Sequence, residues 1–266
     1  MAITLDGTTT VSIASNLYSA DFSNATLTTR VSFQTSTVNG STGIYALPNG
    51  SSTAASWQAA NNANPTNASK ILIATNGSTD VQLVSGINGT GTYLPMTFWN
   101  NGAEKMRLDT SGRLGIGTAS ATAMLQSAGT SAIAAAKVPN ILEPGTVSAT
   151  AATGTINYDV TTQSVLYYTS NAAANWTVNF RGSSGTSLDT LMATNDVVTV
   201  AFLVTQGSTA YYNNAVTVDG SSVTPKYQGG TAWTSGNASG IDVYTYTIIK
   251  TASATFTVLA AQTQFK

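Results

Sequence analysis

Between Lys105 and Thr118 the chain alternates apolar and other residues twice, with a turn in between. Met106 and Leu108 alternate with Arg107 and Asp109. Asp109-Thr110-Ser111-Gly112 is rich in turn formers, and Leu114 and Ile116 then alternate with Gly115 and Gly117. Period two, a turn and period two again predict a β-hairpin with one apolar face. The two glycines leave the other face without side chains, so a second backbone can approach there. Met106, Leu108, Leu114, Gly115, Ile116 and Gly117 are therefore the expected contacts between chains.

The same period recurs downstream. Ile156–Tyr158, Val165–Tyr168, Trp176–Phe180, Val197–Thr205, Ala215–Val218, Val223–Tyr227, Ile241–Lys250 and Ala254–Ala260 read as strands. Their spacing predicts a β-sandwich, jelly-roll-like. Trp176, Val178 and Phe180 fall on one face of their strand, and Thr177, Asn179 and Arg181 on the other. Ser187 is placed to cap a short helix at Leu188–Met192. No repeat recurs at a fixed period, which disfavours a β-helix body.

Four domains follow from shifts in pattern. Residues 1–35 hold three short alternating runs, at Ile3–Leu5, Val11–Ile13 and Leu27–Phe33. Residues 36–118 form a β-rich domain punctuated by Asn39-Gly40, Asn49-Gly50, Asn76-Gly77 and Asn88-Gly89. Asn-Gly marks turns because both residues tolerate positive φ. Lys70–Thr75 and Val81–Ser85 read as strands, and Ala54–Ala60 as one or two helical turns around Trp57. Residues 119–153 read as an Ala-rich linker. Within it, Ser131–Lys137 is either a short helix ended by Val138-Pro139 or extended chain. Residues 154–266 form the C-terminal sandwich.

Composition excludes several classes of function. Only 8% of the residues are charged, where about a quarter is usual. The polar residues are instead Ser, Thr, Asn and Gln, which pack into assemblies without the cost of desolvating ions. A net charge of −1 offers no basic stripe for phosphates, so nucleic acid is not an expected partner. The strongest apolar run, Val197–Val204, is too short to cross a bilayer, and no membrane insertion is expected. The start, Met1–Gly7, has no secretion signal pattern.

Catalysis is not expected either. The chain has no His and no Cys, which removes the commonest general base, thiol nucleophiles and the usual zinc ligands. The two glutamates, Glu104 and Glu143, lie in the connecting region, and the aspartates are scattered near turns. Gly112–Gly117 lacks the spacing of a dinucleotide loop, and Gly182–Ser187 lacks the lysine of a P-loop. No catalytic residue, metal ligand or cofactor is predicted. The candidate ligand contacts are Tyr211, Tyr212, Asn213, Asn214 and Trp233, which fall in predicted loops. Rings stack on the apolar faces of sugars while amides bond hydroxyls. The alternative is that these aromatics pack in the core or between subunits.

The segment from Met106 to Thr118 resembles a recurrent element of bacteriophage tail-fibre and related virion proteins, where it joins a fibre shaft to the next module. Asn64–Ala68 and Gly89–Phe98 resemble fibre segments of the same group. From about Gly154 the chain is similar to a β-rich module of phage structural proteins, especially those of phages infecting marine cyanobacteria. Ala174–Arg181, Thr199–Gly207 and Tyr244–Lys250 carry that likeness. The resemblance implies a virion protein assembled in the host cytoplasm, a homotrimer, and tail or capsid proteins as partners. Residues 1–35 would then attach or begin a shaft, 36–118 would be fibre-like, and the sandwich would meet host surface polysaccharide. A tail fibre or receptor-binding fibre is the expected function. A capsid decoration or head-vertex fibre, a carbohydrate-binding module, and an enzyme acting on surface glycans are the alternatives.

Overall fold

The structure, a computed structural model, describes residues 38–41, 43–77, 79–130 and 132–266. The three runs predicted within residues 1–35 lie outside these. The protein is all-β, and it divides into one unit ending at Lys137 and a second, Val138–Lys266.

The first unit holds two sheets. β1 (Ala55–Ala60), β2 (Ala68–Asn76) and β3 (Asp80–Asn88) form an antiparallel three-stranded sheet. β4 (Met96–Asn100), β5 (Ala103–Leu108), β6 (Leu114–Ile116) and β7 (Leu125–Ser127) form the other, antiparallel except for β6 and β7. The Asn-Gly turns appear as expected: Asn39, Gly50, Gly77 and Gly89 have φ of 60°, 61°, 63° and 49°. Ala55–Ala60 is a strand and not the expected helix. Six backbone pairings with β2 override the weak helical preference of so short a run. Residues 132–137 contain no helix, so of the two readings of that stretch the extended one stands. β7 lies within the segment read as linker.

The second unit contains two facing sheets. Its strands are β8 (Gly145–Ala151), β9 (Gly154–Asp159), β10 (Val165–Ser170), β11 (Trp176–Arg181), β12 (Val197–Thr205), β13 (Asn213–Val218), β14 (Ser221–Val223), β15 (Lys226–Tyr227), β16 (Ile241–Ala252) and β17 (Thr255–Phe265). The six-stranded sheet has the order β15-β17-β16-β12-β10-β8, and the four-stranded sheet the order β14-β13-β11-β9. From β8 to β13 each successive strand changes sheet. β8, β10 and β12 pair in parallel, as do β9, β11 and β13. This is a coil of three rungs closed by the antiparallel β16–β17 pair. A jelly roll is antiparallel, so that detail of the expectation does not describe the strand order. β8 also lies in the stretch read as linker, and Val223–Tyr227 splits at Pro225 into β14 and β15, which belong to different sheets.

The missing sequence period has a structural cause. Val165 pairs with Gly145, 20 residues before it, and with Ala201, 36 residues after it. The longer interval contains an excursion with the short helix α1 (Leu188–Leu191). Ser187 caps it as expected, its Oγ accepting from the Thr190 N–H at 3.0 Å. The Asp219 carboxylate accepts from the N–H groups of Leu188 and Asp189 at 2.7 and 2.9 Å. At the other end the buried Lys250 ammonium donates to the carbonyls of Asp189 and Met192 and pairs with the Asp189 carboxylate at 2.7 Å. The excursion is thus fastened at both ends.

Between the sheets lies a core of twenty buried apolar residues. Trp176 meets Phe202 and Tyr244 edge-on at 6.0 and 5.6 Å, and Phe180 meets Tyr246 at 4.9 Å. Such pairs add to the energy of burial. The outer face of the four-stranded sheet is polar. Asn179 donates to Asn157 and accepts from Thr217 and the Gly220 N–H, and Arg181 pairs with Asp159. Residues 138–266 produced alone are expected to unfold in one cooperative transition. Phe180→Ala should lower that stability by about 3–5 kcal/mol. Denaturant titration followed by tryptophan fluorescence measures both, and a broad uncooperative transition would place the core elsewhere.

Candidate functional site

The Lys105–Thr118 hairpin forms in the expected register, with Met106 opposite Ile116 and Leu108 opposite Leu114. Asp109 organises its turn. Its Oδ1 accepts from the N–H groups of Ser111 and Arg113, both at 2.9 Å, and its Oδ2 binds the Arg113 guanidinium at 2.7 Å. These bonds, the Arg113 backbone N–H first, hold its carboxyl below the usual aspartate range. Gly112 closes the turn at φ 80°.

Across the four-stranded sheet of the first unit, Met96, Leu108, Leu114 and Leu125 stand in one row, and Phe98, Met106 and Ile116 in the next. All seven share a face, and Leu125 is 64% exposed. Thr97, Arg107, Gly115 and Gln126 occupy the other face. The predicted contact residues therefore separate: four apolar ones share the first face and Gly115 lies on the second. The two glycines have intrachain reasons. A Cβ on Gly115 would stand 2.5 Å from the Thr118 carbonyl oxygen, and Gly117 has φ 72°.

The three-stranded sheet repeats the pattern. Trp57, Ile73 and Leu83 form one row, flanked by Ile71 and Val81 on the same face. All five are exposed, from 47% for Trp57 to 81% for Val81. The Ser85 hydroxyl donates to the Leu94 carbonyl at 2.7 Å. A shallow groove lined by Ala59, Ile71, Leu94 and Met96 joins the two apolar faces. Among the described residues of this unit, the only buried apolar side chains are Ala68 and Ala121.

In the second unit, the outer face of the six-stranded sheet carries Val147, Tyr167, Leu203 and Val243 in one row. No charged residue shares that face from β8 to β17; the first is Lys226, on the short edge strand β15. The rest of this face mixes aliphatic side chains with threonines such as Thr199, Thr245, Thr247 and Thr257, so it is neutral and not wholly apolar.

The predicted ligand contacts sit at one end of the sandwich. Asn213 and Asn214 begin β13 and are not in a loop. Asn213 is buried: its Nδ2 donates to the carbonyls of Trp176 and Ala215, and its Oδ1 accepts from the Tyr246 hydroxyl. Trp233 does lie in a loop, but it packs on the core. Its indole N–H donates to the Asn213 carbonyl at 2.5 Å, and its ring meets Tyr227 and Tyr244 edge-on at 4.8 and 5.2 Å. Tyr211 is half-buried and Tyr212 donates its N–H to the Asn175 side chain, while Asn214 is exposed. The structure thus joins Asn213 to Trp233, with their polar groups spent on each other and on the core.

The neighbouring buried network of Gln206 and Asp242 escaped the sequence reading. Gln206 Nε2 donates to the Tyr211 carbonyl and the Asp242 carboxylate at 2.7 and 2.9 Å, and its Oε1 accepts from the Tyr211 N–H. Asp242 also accepts from the Asn237 N–H. A signal was present: Asp242 and Lys250 end the inward stripe that runs through Tyr244, Tyr246 and Ile248, so both charges are buried. Burial raises the Asp242 carboxyl above the aspartate range, against the lowering effect of its hydrogen bonds.

Among the described residues no group of three acidic, His or Cys side chains is placed to hold a metal ion. No described helix is long and apolar enough to cross a membrane. Compared with family models, curated proteins and solved structures, the chain matches none.

Asp242 should leave a signature in pH dependence. A carboxyl whose pKa is raised by folding binds more protons in the native state. Its contribution is therefore full below the ordinary aspartate value and is lost as pH rises through the folded value. Asp189, held low by Lys250 and the Ala254 N–H, contributes in the opposite sense and loses its share on acidification. Asp242→Asn should remove only the first component. Denaturant titrations between about pH 3 and 7 should show the difference in stability between variant and wild type changing across the acid window. A constant difference would mean that Asp242 does not titrate with folding.

Proposed function

We propose that this chain is a non-enzymatic virion structural protein, a subunit of a homotrimeric tail fibre or receptor-binding fibre that attaches a phage particle to its host. The observation that carries the reading is the set of apolar sheet faces in the first unit that no described residue covers. A three-stranded sheet needs a covered hydrophobic face to be stable, and here each sheet leaves one apolar face open. Copies of the same chain supply the cover, because partners needed for folding must arrive in fixed proportion. The uncharged outer face of the six-stranded sheet supports the same reading, as does the resemblance of Met106–Thr118 and of the C-terminal half to virion proteins. That resemblance supplies the threefold symmetry. In the assembly the first unit shares an apolar interior, and the sandwich is displayed to the host.

Sedimentation should give a particle of three times the 27.2 kDa chain mass, stable on dilution. Ile73→Asp and Leu114→Asp each place a charge in the shared interior, three times per trimer, and should dissociate it while the sandwich stays folded. A well-folded monomer at micromolar concentration would remove the fibre reading. Antibodies against the sandwich should decorate particles in negative-stain images, and particles free of the protein would remove the virion reading.

A further inference from the structure

The end of the sandwich carries a second, unassigned feature. A groove runs between the β12–β13 loop, the segment before β16 and the end of β17. Thr205, Ile241 and Phe265 lie side by side across three strands, and Ile241 and Phe265 supply its apolar surface. The Phe265 ring is 54% exposed. Asn171, Ser208 and Ser239 also line it, all exposed, and none of the three side chains hydrogen-bonds within the chain. No carboxylate side chain lines the groove; Lys266 is its one charged side chain.

The groove is built on fixed backbone. A Cβ on Gly207 would come within 3.2 Å of the Asn171 carboxamide, and one on Gly240 within 2.4 Å of the Phe265 carbonyl oxygen. Asn237 donates to that same carbonyl at 2.8 Å. Beneath, the Gln206–Asp242 network ties both flanking loops together. With the backbone held, the entropy lost on binding is confined to the rotamers of the lining side chains.

We infer that this groove binds a saccharide unit. A sugar ring presents an apolar face and a rim of hydroxyls. An exposed aromatic residue lining the same groove as uncommitted amide and hydroxyl groups matches both. The groove is preferred to the Tyr211–Asn214 and Trp233 group as the ligand site, because the Asn213 carboxamide and the Trp233 indole of that group are already engaged. The inference rests on the attachment reading only for the source of the sugar, a host surface glycan.

The test uses the full chain on a printed array of neutral and acidic oligosaccharides. Wild type should bind at least one of them. Asn171→Ala and Phe265→Ala, both at exposed positions, should each weaken that binding by about tenfold or more. Their thermal midpoints should be unchanged, and Asn214→Ala should bind as wild type does. Absence of binding to every saccharide overturns the groove, as does binding that both groove variants retain. Loss confined to Asn214→Ala overturns it in favour of the start of β13. Sedimentation of the same samples keeps the two proposals apart. A trimer that binds no saccharide overturns the groove alone, and a monomer that binds through Asn171 and Phe265 overturns the fibre alone.

Discussion

The second unit depends on aromatic side chains clamped between two sheets. Trp176 and Phe180 come from one sheet, and Phe202, Tyr244 and Tyr246 from the other. Large rings reach across the gap between facing sheets, and their polar atoms then dictate what surrounds them. The Tyr246 hydroxyl finds Asn213, the Tyr158 hydroxyl finds the carbonyls of Ser164 and Ala201, and the Trp233 indole closes on Asn213. Buried polar groups are tolerated because they are paired. The one exception among the described residues is the Trp176 indole nitrogen, for which we have no physical account.

Among its described residues the first unit has no such clamp. Its strands are as regular as those of the second, so regular backbone pairing does not by itself make a core. A sheet has two faces, and here one of them is apolar with nothing from the described chain upon it. Low charge fits this arrangement, since strands of neutral side chains pack against neighbours without stranding ions.

Much of the fold was legible because alternation reports strands directly. The eight strands expected after Gly154 are present, with Val223–Tyr227 divided by its proline, and the hairpin register follows from its own turn. β8 was missed because Gly-Thr-Val-Ser-Ala-Thr-Ala has one large apolar residue, and its place in the sheet comes from pairing with β10 rather than from pattern. Parallel winding was illegible because the fastened excursion around α1 breaks the period. Around Tyr211–Asn214 and Trp233, aromatic residues beside asparagines were visible in sequence, but the commitment of Asn213 and Trp233 to the core was not. Burial of Asn213 depends on a hydrogen bond from Tyr246, 33 residues away. The groove of Asn171, Ser239 and Phe265 draws on three distant segments of ordinary composition, so no short motif signals it.

The strand directions have a mechanical consequence. β8 runs parallel to β12, and β17, reversed twice through β16, runs parallel to both. Gly145 is level with Ala201, Thr245 and Ala261, so along the strands it stands only four residues from Phe265, while four strand-to-strand steps separate β8 from β17 across the sheet. Tension applied between the two acts largely across the strands, and its load passes in turn through each backbone ladder that joins β8, β10, β12, β16 and β17.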